Sequence, residues 1–84
     1  MKYSVCAYFD TQLGTYMPPF AIPQDKETIR EGVRDATIKG KIDDAVSKVL
    51  FFLGTFETSD ASFDLVKPLE LLNLASLVQP KTAA

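Results

Sequence analysis

The sequence predicts an α+β domain: an antiparallel four-stranded sheet made from two hairpins, in ββαββα order, with its helices on one face. Three observations lead there. Residues 2–9 alternate strictly between two sets of side chains, the period-two signature of a strand. Residues 25–40 carry a helix, with apolar positions at helical spacing and a recognisable residue at each end. Residues 48–57, KVLFFLGTFE, are apolar at nearly every position, as expected of a strand covered on both faces. Strands grouped in hairpins around a helix favour an antiparallel sheet.

Taken in order, Tyr3, Val5, Ala7 and Phe9 share one face of the first strand, and Lys2, Ser4, Cys6 and Tyr8 share the other. Asp10 to Gly14 supplies turn chemistry. Tyr16 to Ile22 reads as the returning strand. Pro18 and Pro19 interrupt it and confine it to a sheet edge or a bulge, because proline has no N–H for the ladder. Asp25 is the expected helix N-cap, with Glu27 in the first turn. Ile29, Val33 and Ala36 form the apolar stripe, and Gly40 closes the helix. Gly32 lies inside it and is expected to admit a close strand. Ile42 to Ser47 fits one short helical turn. The apolar strand at 48–57 follows, then a polar turn at 58–62, a short fourth strand at Ser62–Val66 and a last helix opening at Pro68 and ending at Pro80. Residues 1–79 thus make a single domain, with 80–84 as a frayed tail.

Composition narrows the function. The chain has 84 residues, 46% hydrophobic and 24% charged, with net charge −2. A domain this small buries a modest core and leans on a disulfide, a metal or a partner. There is one cysteine and no histidine. An internal disulfide and a His/Cys zinc site are therefore both excluded, and self-association is the remaining support. A lone cysteine suits a reducing compartment. Residues 1–10 do not resemble a signal peptide, and the longest apolar run, Val49 to Leu53, is far too short for a membrane span.

No catalytic constellation is assembled. Asp43 and Asp44 are adjacent but point apart along the chain, and Asp10, Asp60 and Asp64 lie in or near turns, so solvated turn and cap roles account for them. Cys6 lacks a histidine to activate it. The glycines in Leu13-Gly14 and Phe52-Leu53-Gly54 are single and do not form a phosphate-cradling loop. No catalytic residue, metal ligand or cofactor is assigned.

Two features point to binding. Lys26, Arg30 and Arg34 are four apart and run down one side of the helix, with Lys39 and Lys41 extending the stripe. Five cations in line can follow a phosphate backbone. Interleaved Glu27, Glu31 and Asp35 can equally turn the stripe into a salt-paired solvated face. The second feature is a surplus of strand aromatics. Alternation forces some of them away from the helices, and Tyr8 and Tyr16 on neighbouring strands are candidates for stacking on unpaired bases. The same surface can instead bury itself in a dimer. The negative net charge favours burial against protein.

Several stretches also occur together in a familiar order: Tyr3-Ser4-Val5-Cys6-Ala7-Tyr8-Phe9-Asp10, Pro19-Phe20, Thr28-Ile29-Arg30 and Leu53-Gly54-Thr55-Phe56-Glu57. Over residues 3–72 the chain resembles the small nonstructural protein of gokushoviruses, single-stranded-DNA phages of the microvirus group. It departs before the third strand, where the family reads Pro-Glu-Asp and an aromatic and this chain reads Ile42-Asp43-Asp44-Ala45. The resemblance implies a non-enzymatic accessory protein of the infected host's cytoplasm. Such a protein would assist single-stranded DNA synthesis or packaging by binding DNA or replication proteins. On that reading Lys26, Arg30, Arg34, Lys39 and Lys41 meet phosphates and Tyr8 or Tyr16 stacks on bases. The alternative is a homodimeric protein-interaction module that never touches nucleic acid.

Overall fold

A computed structural model describes residues 1–78. The fold is α+β: a curled, wholly antiparallel sheet and one α-helix. The strands are β1 (Lys2–Asp10), β2 (Thr15–Tyr16), β3 (Phe20–Ile22), β4 (Lys48–Glu57) and β5 (Ser62–Asn73), and the helix is α1 (Lys26–Ile38). Short 3-10 turns occupy Ala45–Ser47 and Leu74–Leu77. β1 and β4 are the inner strands, in the order β2, β1, β4, β5, and β3 also pairs with β1 beyond β2.

The double proline acts as its chemistry requires. It splits the returning strand into β2 and β3, both on the outer side of β1, and Met17–Pro19 crosses the gap between them. β1 pairs with β4 along its full length, from Lys2 opposite Glu57 to Asp10 opposite Lys48. Buried Ser4, Val5, Cys6 and Ala7 give β1 a run of small side chains, so the layers above and below approach it closely.

Helix α1 is defined at both ends by side-chain and backbone chemistry. The Asp25 carboxylate accepts a 2.8 Å hydrogen bond from the Thr28 N–H, which holds that carboxyl below its usual range. At the other end Gly40 has φ +71°. Its N–H donates to the Thr37 carbonyl while the Lys41 N–H reaches the Ala36 carbonyl, the paired bonds of a Schellman cap. Ile29 is buried, and Val33 is partly buried against the same cluster. That cluster joins Cys6, Leu50, Leu72, Leu74 and Ala45, with Tyr8, Phe20, Ile22 and Phe52 at its margin. The core therefore lies between α1 and one side of the sheet, here called the helix face.

Three expectations are corrected, the first being a sheet of four strands, which has five because the prolines split the returning strand in two. The last helix is not formed: β5 runs on through Pro68 to Asn73, and only the 3-10 turn at Leu74–Leu77 follows. The edge of β4 decides this. It offers Phe52 and Leu50 as cross-strand partners for Leu69 and Leu72, and such pairing outweighs the modest helix preference of a leucine-rich segment. Pro68 is tolerated because it lies on the edge strand, between the pairs Leu65–Gly54 and Leu69–Phe52 where the register slips. The ββαββα order thus loses its final helix, and α1 is the only α-helix among the described residues. Gly32 receives no strand, since a Cβ there would meet nothing within 4 Å. The expected tail at 80–84 lies outside the described residues.

The glycine that matters is Gly54. It is buried between Val5 of β1 and Leu65 of β5, with φ +144°. A Cβ on it would collide with the Asp64 carbonyl and stand 2.9 Å from the Leu65 Cα. Beyond this point β4 stays paired on both sides, with Lys2–Ser4 of β1 and Ser62–Asp64 of β5. The radius of gyration is 14.0 Å and the longest extent 55 Å, against about 12 Å of gyration radius for a compact chain of this length.

At the end of β4 the Met1 amino group donates a 2.6 Å hydrogen bond to Glu57. With the Ser59 N–H it lowers that carboxyl from 4.5 to about 2. A depressed carboxyl stabilises the fold fully above its unfolded value and loses that contribution as pH falls through the folded one. Glu57→Gln should therefore be less stable than wild type at neutral pH, and the gap should close between pH 4.5 and about 2, read as urea midpoints against pH. Gly54→Ala should cost about 3 kcal/mol or more through strain and overpacking. Gly32→Ala should stabilise by about 0.5–1 kcal/mol through helix propensity and chain entropy. Urea titrations of the two variants check both.

Candidate functional site

Pairing fixes which side chains share a side of the sheet. The rows Ser4–Thr55–Asp64, Cys6–Phe52–Leu69 and Tyr8–Leu50–Leu72 lie on the helix face. The rows Tyr3–Phe56–Phe63, Val5–Gly54–Leu65, Ala7–Phe51–Glu70 and Phe9–Val49–Asn73 lie on the opposite side, here called the open face. Tyr16, opposite Phe9, and Ala21, opposite Val5, extend it. Of all these open-face positions only Glu70 carries a charge.

Large side chains dominate the open face. Phe9, Tyr16 and Phe51 form an edge-to-face trio with ring centroids 4.9, 6.4 and 5.5 Å apart, within the favoured range for aromatic pairs. Phe56 and Phe63 pair at 4.8 Å across β4 and β5. Val5, Ala7 and Val49 between these groups are buried, so the larger side chains form a second apolar layer. That layer ends in water. Phe63 is 62% and Leu65 68% exposed, and Tyr16 is 47% exposed. An apolar hollow of about 290 Å³ opens beside them, lined by Val5, Pro19, Phe20, Ala21, Phe56 and Phe63.

The sequence-derived cations are placed elsewhere. All five belong to α1 and its C-terminal cap, and α1 packs on the helix face. The Lys26 ammonium stands 5.4 Å from the centre of the Phe52 ring, a cation–π contact. Arg30 Nε donates to the Leu71 carbonyl at 3.0 Å. Leu71 is the extra residue where β5 slips against β4, between the pairs Leu50–Leu72 and Phe51–Glu70, and the bulge frees its carbonyl for this bond. Arg34 approaches Glu31 at 4.0 Å, and Lys39 meets Asp35 at 3.0 Å. Lys41 lies exposed just past the cap. Two of the five cations, Lys26 and Arg30, therefore fasten the helix to the sheet, and three, Arg30 among them at 3.9 Å from Glu31, sit beside carboxylates.

The two candidate tyrosines are not neighbours. Tyr8 is on the helix face, 5.6 Å from Phe20, and burial followed by the nearby Cys6 thiol raises its hydroxyl pKa. Tyr16 pairs one position further along, with Phe9, on the open face. The structure thus joins Tyr16 to Phe9 and Phe51 and separates it from Tyr8 and from the cations. The sequence reading missed Phe9, Phe63 and Leu65 as a connected surface. The pairing of Tyr16 with Phe9 was the signal that could have found the first of them.

Other chemistry is sparse. Cys6 is fully buried, and burial raises its thiol pKa, which disfavours the reactive thiolate. Among the described residues no group of three His, Cys, Asp or Glu side chains comes together in a metal-holding arrangement. A shallow cleft of about 480 Å³ beside the start of α1 is lined by charges of both signs, Lys2 and Lys26 with Asp25 and Glu27, and assembles no catalytic group. No helix among the described residues is long and apolar enough to cross a membrane, which leaves β-barrel spans unaddressed. Comparisons with family models, curated proteins and solved structures return no match.

Cys6 in the native protein should react with a thiol reagent such as Ellman's at a rate limited by opening of the fold. The rate should rise by orders of magnitude in denaturing urea. Rapid native labelling would contradict its burial.

Proposed function

We propose that this protein is a non-enzymatic binding module that engages other protein through its open face. The observation that carries the reading is the one-sidedness of the sheet. Aromatic and aliphatic side chains continue from the Phe9–Tyr16–Phe51 trio to Phe63 and Leu65 with a single charge among them. A surface of large apolar groups with few charges is suited to a protein partner. A phosphate backbone would need cations beside the rings, and here they lie across the sheet.

The resemblance to gokushovirus nonstructural proteins supplies the setting: a phage accessory protein of the host cytoplasm, whose partners belong to single-stranded genome synthesis or packaging. A second reading, direct contact with single-stranded DNA, draws on the same aromatic trio as a stacking platform. It leaves Arg30 and Lys26 without a phosphate role.

Two measurements test this. A labelled oligonucleotide titrated at low salt, about 50 mM, should show no binding. Tight, salt-steep binding weakened by Arg34→Ala or Lys41→Ala would replace the protein reading with the DNA one. A photo-crosslinking p-benzoylphenylalanine introduced at Tyr16 should form protein adducts in producing cells. Adducts to nucleic acid, or none at all, would overturn the proposal.

A further inference from the structure

The sheet ends on β5, which among the described residues has a neighbour only on its β4 side. It runs for 12 residues, longer than most strands. Phe63, Leu65, Val66 and Leu69 along it are between 47% and 68% exposed. A long, apolar, unpaired edge invites another strand to add to it, from a second copy or from any extended peptide. We infer that β5 is built to refuse that addition, and that Lys67, Pro68 and Arg30 together close its edge. The inference goes beyond the binding reading above and is independent of what meets the open face, because strand addition uses backbone groups at the rim of the sheet.

Three local features carry this. The first is a break in the ladder. Gly54 pairs with Leu65 and Phe52 with Leu69, so Val66, Lys67 and Pro68 stand opposite Leu53 alone. An incoming strand needs donors and acceptors at regular spacing, and this irregularity removes it midway along β5. The second is the chemistry of the residues at the break. Pro68 has no N–H to donate. Lys67 is exposed and has no carboxylate within 4 Å among the described residues. Two copies pairing about the middle of β5 would bring their Lys67 side chains together, and lysine is a side chain that natural edges use in this way. The third lies further along. Arg30 Nε donates to the Leu71 carbonyl at 3.0 Å, so an acceptor in the last third of β5 is already engaged within the chain. The regular stretch before the break, Ser62–Leu65, is short and carries the charge of Asp64. The opposite edge of the sheet is interrupted in the same manner, by Pro18 and Pro19 between strands of two and three residues.

Removing the guard should let strands pair. Lys67→Val combined with Pro68→Val should associate at a concentration about tenfold lower than wild type does, read by light scattering. The amides of β5 should gain hydrogen-exchange protection as it associates. Glu31→Val with Arg34→Val, which adds apolar surface at exposed positions of α1, should behave as wild type. Lys67→Val alone changes one exposed side chain and should give an intermediate shift. It keeps the test decisive should the double variant lose its circular dichroism spectrum. Variants of Lys67 and Pro68 that associate no more readily than wild type overturn the inference. So does a control on α1 that associates as strongly as they do, or a wild type whose β5 amides already become protected as concentration rises.

Discussion

The ladder between β1 and β4 is the constraint on which everything else rests. It joins the two halves of the chain, Lys2–Asp10 with Lys48–Glu57, and makes both strands internal. Once this pairing is set, the alternation of each strand assigns its side chains to one side or the other. Cys6, Leu50 and Phe52 can reach α1, and Phe9, Phe51 and Phe56 cannot. The helix then docks through Ile29 and is held by Arg30 on the Leu71 carbonyl. Both its capping residues and its anchoring cations serve that placement.

One helix cannot cover both sides of a sheet, and this chain has one among the described residues. The inequality of the two sides is thus a direct product of the topology. On the helix face the central apolar side chains, Cys6, Leu50 and Leu72, are buried while Leu69 at the edge is 47% exposed, and polar groups nearby are paired. Ser4 Oγ donates to the Gln24 carbonyl, and the Lys48 ammonium donates to the Asp43 carbonyl. On the open face the rings pack only against one another. A face of this kind costs free energy while wet, which is why its partner becomes the central question about this molecule.

Much of this was legible in the residues. The alternation of residues 2–9, the Asp25 and Gly40 caps and the apolar run at 48–57 each have a local physical cause, and each element formed where that cause acts. The segment from Pro68 to Val78 was read wrongly, because leucines spaced as Leu69, Leu71, Leu72 and Leu74 fit helix and strand alike. What decides between them is Phe52 and Leu50, remote in sequence and visible only through pairing. The candidate surface was half legible. The surplus of aromatics correctly demanded an outward face, and the helical spacing of Lys26, Arg30 and Arg34 was real. The direction of the charged ends was not readable. Arg30 turns to a carbonyl that exists only because β5 bulges at Leu71. Tyr8 and Tyr16 were separated by a register offset of one residue, which moves a side chain to the other side of a sheet.

The ladder that organises the molecule also dictates how late it can be completed. Strand β1 leaves the ribosome before its inner partner, since the whole of residues 11–47 lies between the two. Meanwhile its small buried residues have only β2, β3 and α1 to cover them. A topology rich in such distant pairings folds slowly. The nascent chain must therefore pass through a stage in which half a sheet waits, its apolar flank open to whatever is nearby. Chaperones are well suited to meet it there.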